Sequence, residues 1–156
     1  MISWTSEIKG LDTPLAKGET NDCVVRALAA MTGCDYEKAH AYAQSSLGRR
    51  NRIGVSYGAL KDRLDEGGLM GKTLVEVDVK TRYKNQGRVV EREMTTQTFF
   101  RRIPNDKTFL VIVKGHMFCV KDGVVVGGNV EDAVPSRKRV KKCWVVVDEE
   151  LKNKVA

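Results

Sequence analysis

The sequence predicts an α+β domain in which N-terminal helices pack on a C-terminal antiparallel sheet. Helix-like segments with Ser or Asp at their starts and Gly at their ends fill most of residues 22–68. Three apolar, β-branched runs follow later in the chain: "TFLVIVKG", "HMFCVKDGVVVGG" and "VKKCWVVVD". Helices followed by strands, rather than alternating with them, favour α+β over a parallel sheet. With 156 residues and no repeat or linker, residues 1–156 are predicted to form one domain.

The first predicted helix spans residues 22–33, in the stretch "NDCVVRALAAMTG". Asp22, or Thr20 just before it, can cap the N-terminus, and Gly33 can end the helix. Arg26 is the only charged residue after the cap, so the helix is apolar nearly all round. A helix of this kind is expected to be buried.

Two further helices and a basic loop complete the first half of the chain. The second helix is predicted in "CDYEKAHAYAQSSLG", with Asp35 as its N-cap and Gly48 after its end. The third, in "SYGALKDRLDEGG", is capped by Ser56 and closed by two glycines, Gly67 and Gly68. The segment "GRRNRIGVS" between them is predicted to be a basic loop.

The second half of the chain is dominated by strand patterns. The alternation in "TLVEVDV" predicts a strand, and "KTRYKNQGRVVERE" is predicted to be a charged mobile loop or hairpin. A short helix in "TTQTFFRRI" is expected to stop at Pro104. The Asp122-Gly123 pair between valine-rich runs predicts a two-residue hairpin turn.

The predicted hairpin places a histidine opposite an amide. Counting outward from the turn at 122–123, His116 lies across from Asn129, and side chains at such positions share a face. An amide beside an imidazole can fix its tautomer and orientation, as the third member of a catalytic triad does. The two glycines at 127–128 invite a bulge that would shift this register, so Asp132 is the fallback orienting residue.

Cys23 is the cysteine best placed to be a nucleophile. It lies at a helix N-terminus, where the helix dipole lowers the pKa of a thiol. Cys119 is expected to point away from His116 on the same strand, and Cys143 is expected in the core. Cys34 has no evident activator. If His116 approaches Cys23, a thiolate–imidazolium pair forms, which is the nucleophile of an acyl-transfer enzyme.

No metal or other cofactor is predicted. The four cysteines form no CxxC pair, and only two histidines accompany them, so the clustered ligands of a zinc site are missing. His40 lies within the second predicted helix and is interpreted as structural or exposed. The predicted chemistry therefore depends on side chains alone.

Composition limits the classes of partner. The net charge is +7 and the isoelectric point about 9.3, which permits an acidic protein or nucleic acid as partner without requiring either. No signal-like N-terminus and no run of about 18 apolar residues is present, so we expect a cytoplasmic protein without a membrane span.

Two basic clusters are interpreted as solvated loops or exposed strand faces. The first consists of Arg49, Arg50 and Arg52. The second consists of Arg137, Lys138, Arg139, Lys141 and Lys142. Lysines of the second cluster are expected to protect an edge strand, and both clusters can steer an acidic substrate protein. Because no aromatic residue interrupts either cluster, nucleic-acid binding is the less favoured interpretation.

The chain resembles the papain-like cysteine peptidase fold. The resemblance is carried by Asp22-Cys23 opening a buried helix, by the late Gly115-His116 pair, and by Asn129 after the following strand. The segments "NDCVVRALAAMTG" and "GHMFCVKDGVVVGGN" look most like small phage and bacterial members and, more distantly, bacteriocin-processing peptidase domains. The resemblance implies a hydrolase: a thiol protease or isopeptidase with a Cys-His-Asn catalytic triad, acting on a protein or peptide. A phage origin would place it in the host cytoplasm, with a host or virion protein as target.

The chain departs from the family at the oxyanion hole. Such enzymes usually carry a glutamine about six residues before the cysteine, where this sequence has Lys17. Asn21 is the candidate replacement, and the backbone N–H of Cys23 with Lys17 or Thr20 is another arrangement. Loss of one oxyanion donor typically costs about 10²–10³ in rate. The alternative function is a catalytically inactive papain-like module that blocks a host factor or binds nucleic acid through its basic patches.

Overall fold

The computed structural model describes residues 4–5, 8–126 and 137–147, and these form an α+β fold. The helices are α1 (Pro14–Lys17), α2 (Cys23–Thr32), α3 (Tyr36–Leu47), α4 (Tyr57–Asp65) and α5 (Thr96–Arg102). The strands are β1 (Trp4–Thr5), β2 (Gly68–Leu69), β3 (Lys72–Glu76), β4 (Lys80–Asn85), β5 (Arg88–Glu93), β6 (Thr108–Val113), β7 (His116–Lys121), β8 (Val124–Val126) and β9 (Val140–Val147). The predicted α+β class is confirmed. In the described ranges, no helix combines the length and hydropathy needed to cross a membrane.

Seven strands form the main sheet, in the order β1-β8-β7-β6-β9-β3-β2. Neighbouring strands are antiparallel except for β1 and β8, which run parallel. Strand β9 lies between β6 and β3, so the expectation that its lysines protect a sheet edge is wrong. Lys141 and Lys142 instead form exposed ion pairs with Glu93 and Glu76, respectively. Strands β4 and β5 form a separate hairpin.

The sheet buries an apolar core on each of its faces. On one face, α2 packs on a layer that includes Leu110, Met117 and Cys119, and α3 packs against α2. On the other face, Phe99 of α5 packs on a layer that includes Phe118. Successive residues of β7 alternate between the two cores because side chains alternate along a strand. Both faces of β7 are therefore buried over most of its length.

Helix α2 and its two cap positions, Asp22 and Gly33, cover the predicted range 22–33, but Asp22 does not cap the helix as expected. Gly33 ends the helix in the left-handed conformation, with φ of 74°. Asp22 occupies the N-cap position, but its carboxylate makes no capping hydrogen bond. It accepts hydrogen bonds from Arg26 Nε at 3.2 Å and from the hydroxyl of Tyr36 at 2.7 Å. Arg26 and Tyr36 therefore occupy the carboxylate that would otherwise accept from the first backbone N–H groups of the helix.

The other helix starts and the charged hairpin follow local sequence signals. The Asp35 side chain accepts a hydrogen bond from the backbone N–H of Lys38, and Ser56 accepts one from Ala59, as N-caps do. The segment 80–93 is a regular hairpin rather than a loop, since β4 and β5 pair along their whole lengths.

Two tight turns set the register around β7. At the turn between β7 and β8, Asp122 and Gly123 have φ of 53° and 80°, and Val120 pairs with Val125 as predicted. At the preceding turn, Gly115 has φ of 75°, a value that glycine adopts without steric cost. That turn starts β7 at His116. The predicted partners of His116, namely Asn129 and Asp132, lie outside the described residues.

Candidate active site

A cavity of about 250 Å³ lies between the N-terminus of α2 and the start of β7. Cys23 lines it from the helix and His116 lines it from the strand, so the predicted nucleophile and base share one cavity although they are distant in sequence. The other described lining residues are Asn21, Asp22, Arg26, Ala27, Gly115, Met117, Phe118, Val125 and Val126.

Cys23 is the first residue of α2 and is partly buried against the main core. This position puts its thiol at the positive end of the helix dipole, which favours a thiolate. The negative charge of the neighbouring Asp22 would repel a thiolate at Cys23. Arg26 forms an ion pair with Asp22, and this weakens the repulsion. Burial and the hydrogen bond to Asp22 raise the pKa of Tyr36, so its hydroxyl stays protonated and donates to Asp22.

His116 is positioned by a turn and by an aromatic neighbour. Its ring is stacked on the ring of Phe118, with centroids 5.9 Å apart and an interplanar angle of 24°. The described pairing between β7 and β8 covers Cys119–Lys121, and the cavity lies beside residues 115–118. Phe118 was not singled out from the sequence. Its spacing of two residues from His116 on a predicted strand is the signal that could have identified it.

Asn21, the candidate oxyanion donor, lies at the cavity with φ of 52°. Its side-chain nitrogen donates a hydrogen bond to the backbone carbonyl of Arg52 at 3.0 Å. An amide nitrogen carries two N–H groups, so this bond leaves one for another acceptor. Lys17 and Thr20, the other candidates for this role, are not among the described residues that line the cavity.

A buried ionic cluster, which we call the Glu19 clamp, holds the segment just before Cys23. The Glu19 carboxylate accepts hydrogen bonds from His40 Nε2 at 2.7 Å, from Arg49 Nη1, and from the backbone N–H of Arg52 at 2.8 Å. A second nitrogen of Arg49 donates to the backbone carbonyl of Thr20 at 3.1 Å. The clamp thereby joins the approach to Cys23 to the loop between α3 and α4.

The Glu19 clamp corrects the interpretation of the first basic cluster. The side chain of Arg49 is fully buried rather than solvated, and that of Glu19 is 4% exposed. Burial raises the pKa of Glu19, but the hydrogen bonds from Arg49, His40 and the Arg52 backbone outweigh it and lower the pKa overall. Because the ionised carboxylate can only accept, His40 Nε2 carries the proton in this contact. His40 is therefore structural.

The remaining cysteines do not reach the cavity lining. Cys119 and Cys143 are fully buried, as predicted, and Cys34 follows the C-terminal end of α2. None of the four cysteines forms a disulfide in the described part of the chain. The described residues also contain no cluster of three or more metal-ligating side chains.

The cavity thus combines a helix-start cysteine, a strand-start histidine and an amide with one further N–H donor. Such a set can carry out nucleophilic attack, proton transfer and oxyanion stabilisation. Comparison of the chain with protein-family models, with curated proteins and with solved structures finds no match. Its function has to be inferred from the cavity and the residues that line it.

Proposed function

We propose that the protein is a thiol-dependent acyl-transfer enzyme of papain-like type, a cysteine protease or isopeptidase. The observation that carries this proposal is that Cys23, at a helix N-terminus, and His116, at a strand start, line one cavity. This chemistry requires a nucleophile and a base that come within hydrogen-bond reach of each other, and a shared cavity supports that requirement.

The proposed reaction has two stages. His116 takes the proton from Cys23 Sγ, and the thiolate attacks the carbonyl carbon of a peptide or isopeptide bond. The tetrahedral intermediate expels an amine that leaves with the proton from His116, and a thioester to Cys23 remains. His116 then deprotonates a water molecule, whose attack releases the acid and restores the thiol. Deamidation would release ammonia in the first stage, and transglutamination would use an amine in place of the water.

The chain has Lys17 where papain-like enzymes carry the glutamine of the oxyanion hole, so other groups must stabilise the oxyanion. We assign it to the backbone N–H of Cys23 together with the Asn21 amide, which lies at the cavity and retains one N–H. Asn129 is proposed to orient His116, with Asp132 as the fallback residue. The proposed substrate is a protein or peptide, and the net charge of +7 favours an acidic one. A host or virion protein in a phage-infected cytoplasm is the corresponding setting, by analogy.

The test is the alkylation rate of each cysteine by iodoacetamide as a function of pH, read by peptide mass spectrometry. We expect Cys23 to react fastest and to titrate well below the free-thiol value of about 8.5. In His116→Gln the rate at Cys23 near neutral pH should fall roughly tenfold, because the thiolate loses its imidazolium partner.

Cys34 is the internal control, since it is also partly buried but is not among the described residues that line the cavity. Its rate should be the same in the two proteins, which separates a local effect from a change in folding. A Cys23 that reacts no faster than Cys34, or that is indifferent to His116→Gln, would contradict the catalytic proposal. The inactive binding module would then be the better description.

A further inference from the structure

The β4–β5 hairpin stands apart from the main sheet and is exposed on both faces. Every residue from 82 to 89 is exposed to solvent. The hairpin is anchored at its base by Val79 and Met94, which are buried and joined by a backbone hydrogen bond of 2.8 Å. Because an isolated two-stranded hairpin is only marginally stable in water, this base is what holds the projecting strands.

Most charged side chains on one face of the hairpin form ion pairs. Arg82 forms ion pairs with Glu91 at 3.0 Å and with Asp78 at 3.1 Å. Lys80 lies 3.7 Å from Glu91, and Glu93 is paired with Lys141 of β9. Among the charged residues of this face, Lys84 alone has no ion-pair partner in the described part of the chain.

The opposite face is basic without compensation. The strand register places six side chains on it, and we call it the Arg88 face: Thr81, Tyr83, Asn85, Arg88, Val90 and Arg92. Tyr83 lies directly across from Val90 and is flanked diagonally by Arg88 and Arg92. The face carries no acidic residue, and among the described residues neither arginine has an ion-pair partner. Tyr83, 45% exposed, adds an aromatic surface between the two guanidinium groups.

We propose that the Arg88 face is a docking surface for duplex DNA. A two-stranded ribbon fits the major groove, which is about 12 Å wide, and strands of six residues extend about 20 Å along it. Asparagine is a side chain that pairs with adenine edges there, and the uncompensated arginines attract the phosphates. The major groove of duplex RNA is too narrow for such a ribbon. The surface shares no lining residue with the cavity, so it does not depend on the proposed acyl transfer.

The test is the binding of a fluorescein-labelled duplex about two helical turns long, followed by fluorescence anisotropy between about 50 and 200 mM salt. The double variant Arg88→Ala/Arg92→Ala should lower the affinity roughly tenfold or more. It should also reduce the slope of log K against log salt by about two units, because two phosphate contacts are lost. Arg88→Lys/Arg92→Lys keeps both charges and should keep the salt slope.

Lys38→Ala/Lys72→Ala is the matched control, because it removes two positive charges from exposed positions on α3 and β3 that have no ion pair among the described residues. We expect its affinity to stay within about twofold of wild type, and circular dichroism should show all variants folded. Three outcomes would overturn the proposal: no binding by the wild type, an equal loss in the control, or tighter binding of a single strand of the same length.

Discussion

At the scale of single residues, burial divides the four thiols into two groups. Cys119 and Cys143 have no exposed surface, whereas Cys23 and Cys34 are partly buried near opposite ends of α2. Burial raises the pKa of Cys119 to about 12 and also raises the pKa of Cys143, because a thiolate in an apolar core would be poorly solvated. The two core thiols are therefore inert packing groups in the native state.

This division predicts a pH-dependent loss of stability. A thiol whose pKa is raised by folding stabilises the native state fully below its unfolded pKa, about 8.5. That stability is lost as the pH rises toward the folded value, because only the unfolded chain releases the proton. Urea unfolding at pH 10 should show a smaller free energy of unfolding than at pH 7.5, by about 1–2 kcal/mol for each core thiol. In Cys119→Ala the free energy of unfolding should fall less between pH 7.5 and pH 10 than in wild type. An equal fall in the two proteins would contradict the view that the buried Cys119 thiol has a raised pKa.

At the scale of elements, the Glu19 clamp fixes the backbone that leads into α2. It ties residues 18–20 to the loop at 49–52, and Asn21 bonds to the same loop through the carbonyl of Arg52. The segment that brings Asn21 to the cavity is thus tied to a loop about thirty residues away in sequence. Positioning of Asn21 depends on this clamp.

We expect Glu19→Gln to destabilise the protein by about 3 kcal/mol, since it leaves the buried Arg49 cation without its carboxylate. The lowered pKa of Glu19 gives the clamp a pH signature. Its contribution is present above the unfolded value of about 4.3 and is lost as the pH falls through the folded value. Urea unfolding should therefore show that the difference in free energy of unfolding between wild type and Glu19→Gln is smaller at acidic pH than at neutral pH. Glu66→Gln, at an exposed ion pair, is the control and should change stability by less than about 0.5 kcal/mol.

Local signals were sufficient to predict some elements, and non-local contacts explain those that were missed. The N-caps Asp35 and Ser56 are set within one helical turn, so their sequence signals are reliable. The interior position of β9 and the burial of Arg49 both depend on partners distant in sequence, which no local pattern contains. The starts of α2 at Cys23 and of β7 at His116 could be predicted locally, but their meeting at one cavity could not, because it joins segments distant in sequence.

At the scale of the whole molecule, we expect the backbone amides in the centre of the sheet to be the best protected from hydrogen exchange. Strand β6 is paired on both sides, by β7 and β9, and is almost completely buried. Strands β4 and β5 are exposed, and within the described ranges each pairs only with the other. Low burial and exposed backbone bonds are typical of segments that open locally.

Hydrogen exchange measured by mass spectrometry should separate the two regions. Amides in residues 82–91 should exchange orders of magnitude faster than those of β6, which should exchange only on global unfolding. The free energy of opening derived for β6 should match that from urea unfolding. Similar protection of the hairpin and β6 in the isolated protein would contradict the view that the hairpin is held only at its base.

The interior position of β9 has a consequence for synthesis of the chain on the ribosome. Strand β3 pairs with β9 across about seventy residues, whereas β6 and β7 are neighbours that can pair as soon as they emerge. Until residues 140–147 leave the ribosome, β3 and β6 each have an edge that only β9 can cover. Unpaired strand edges promote aggregation, so nascent chains that stall before this point are expected to need a chaperone.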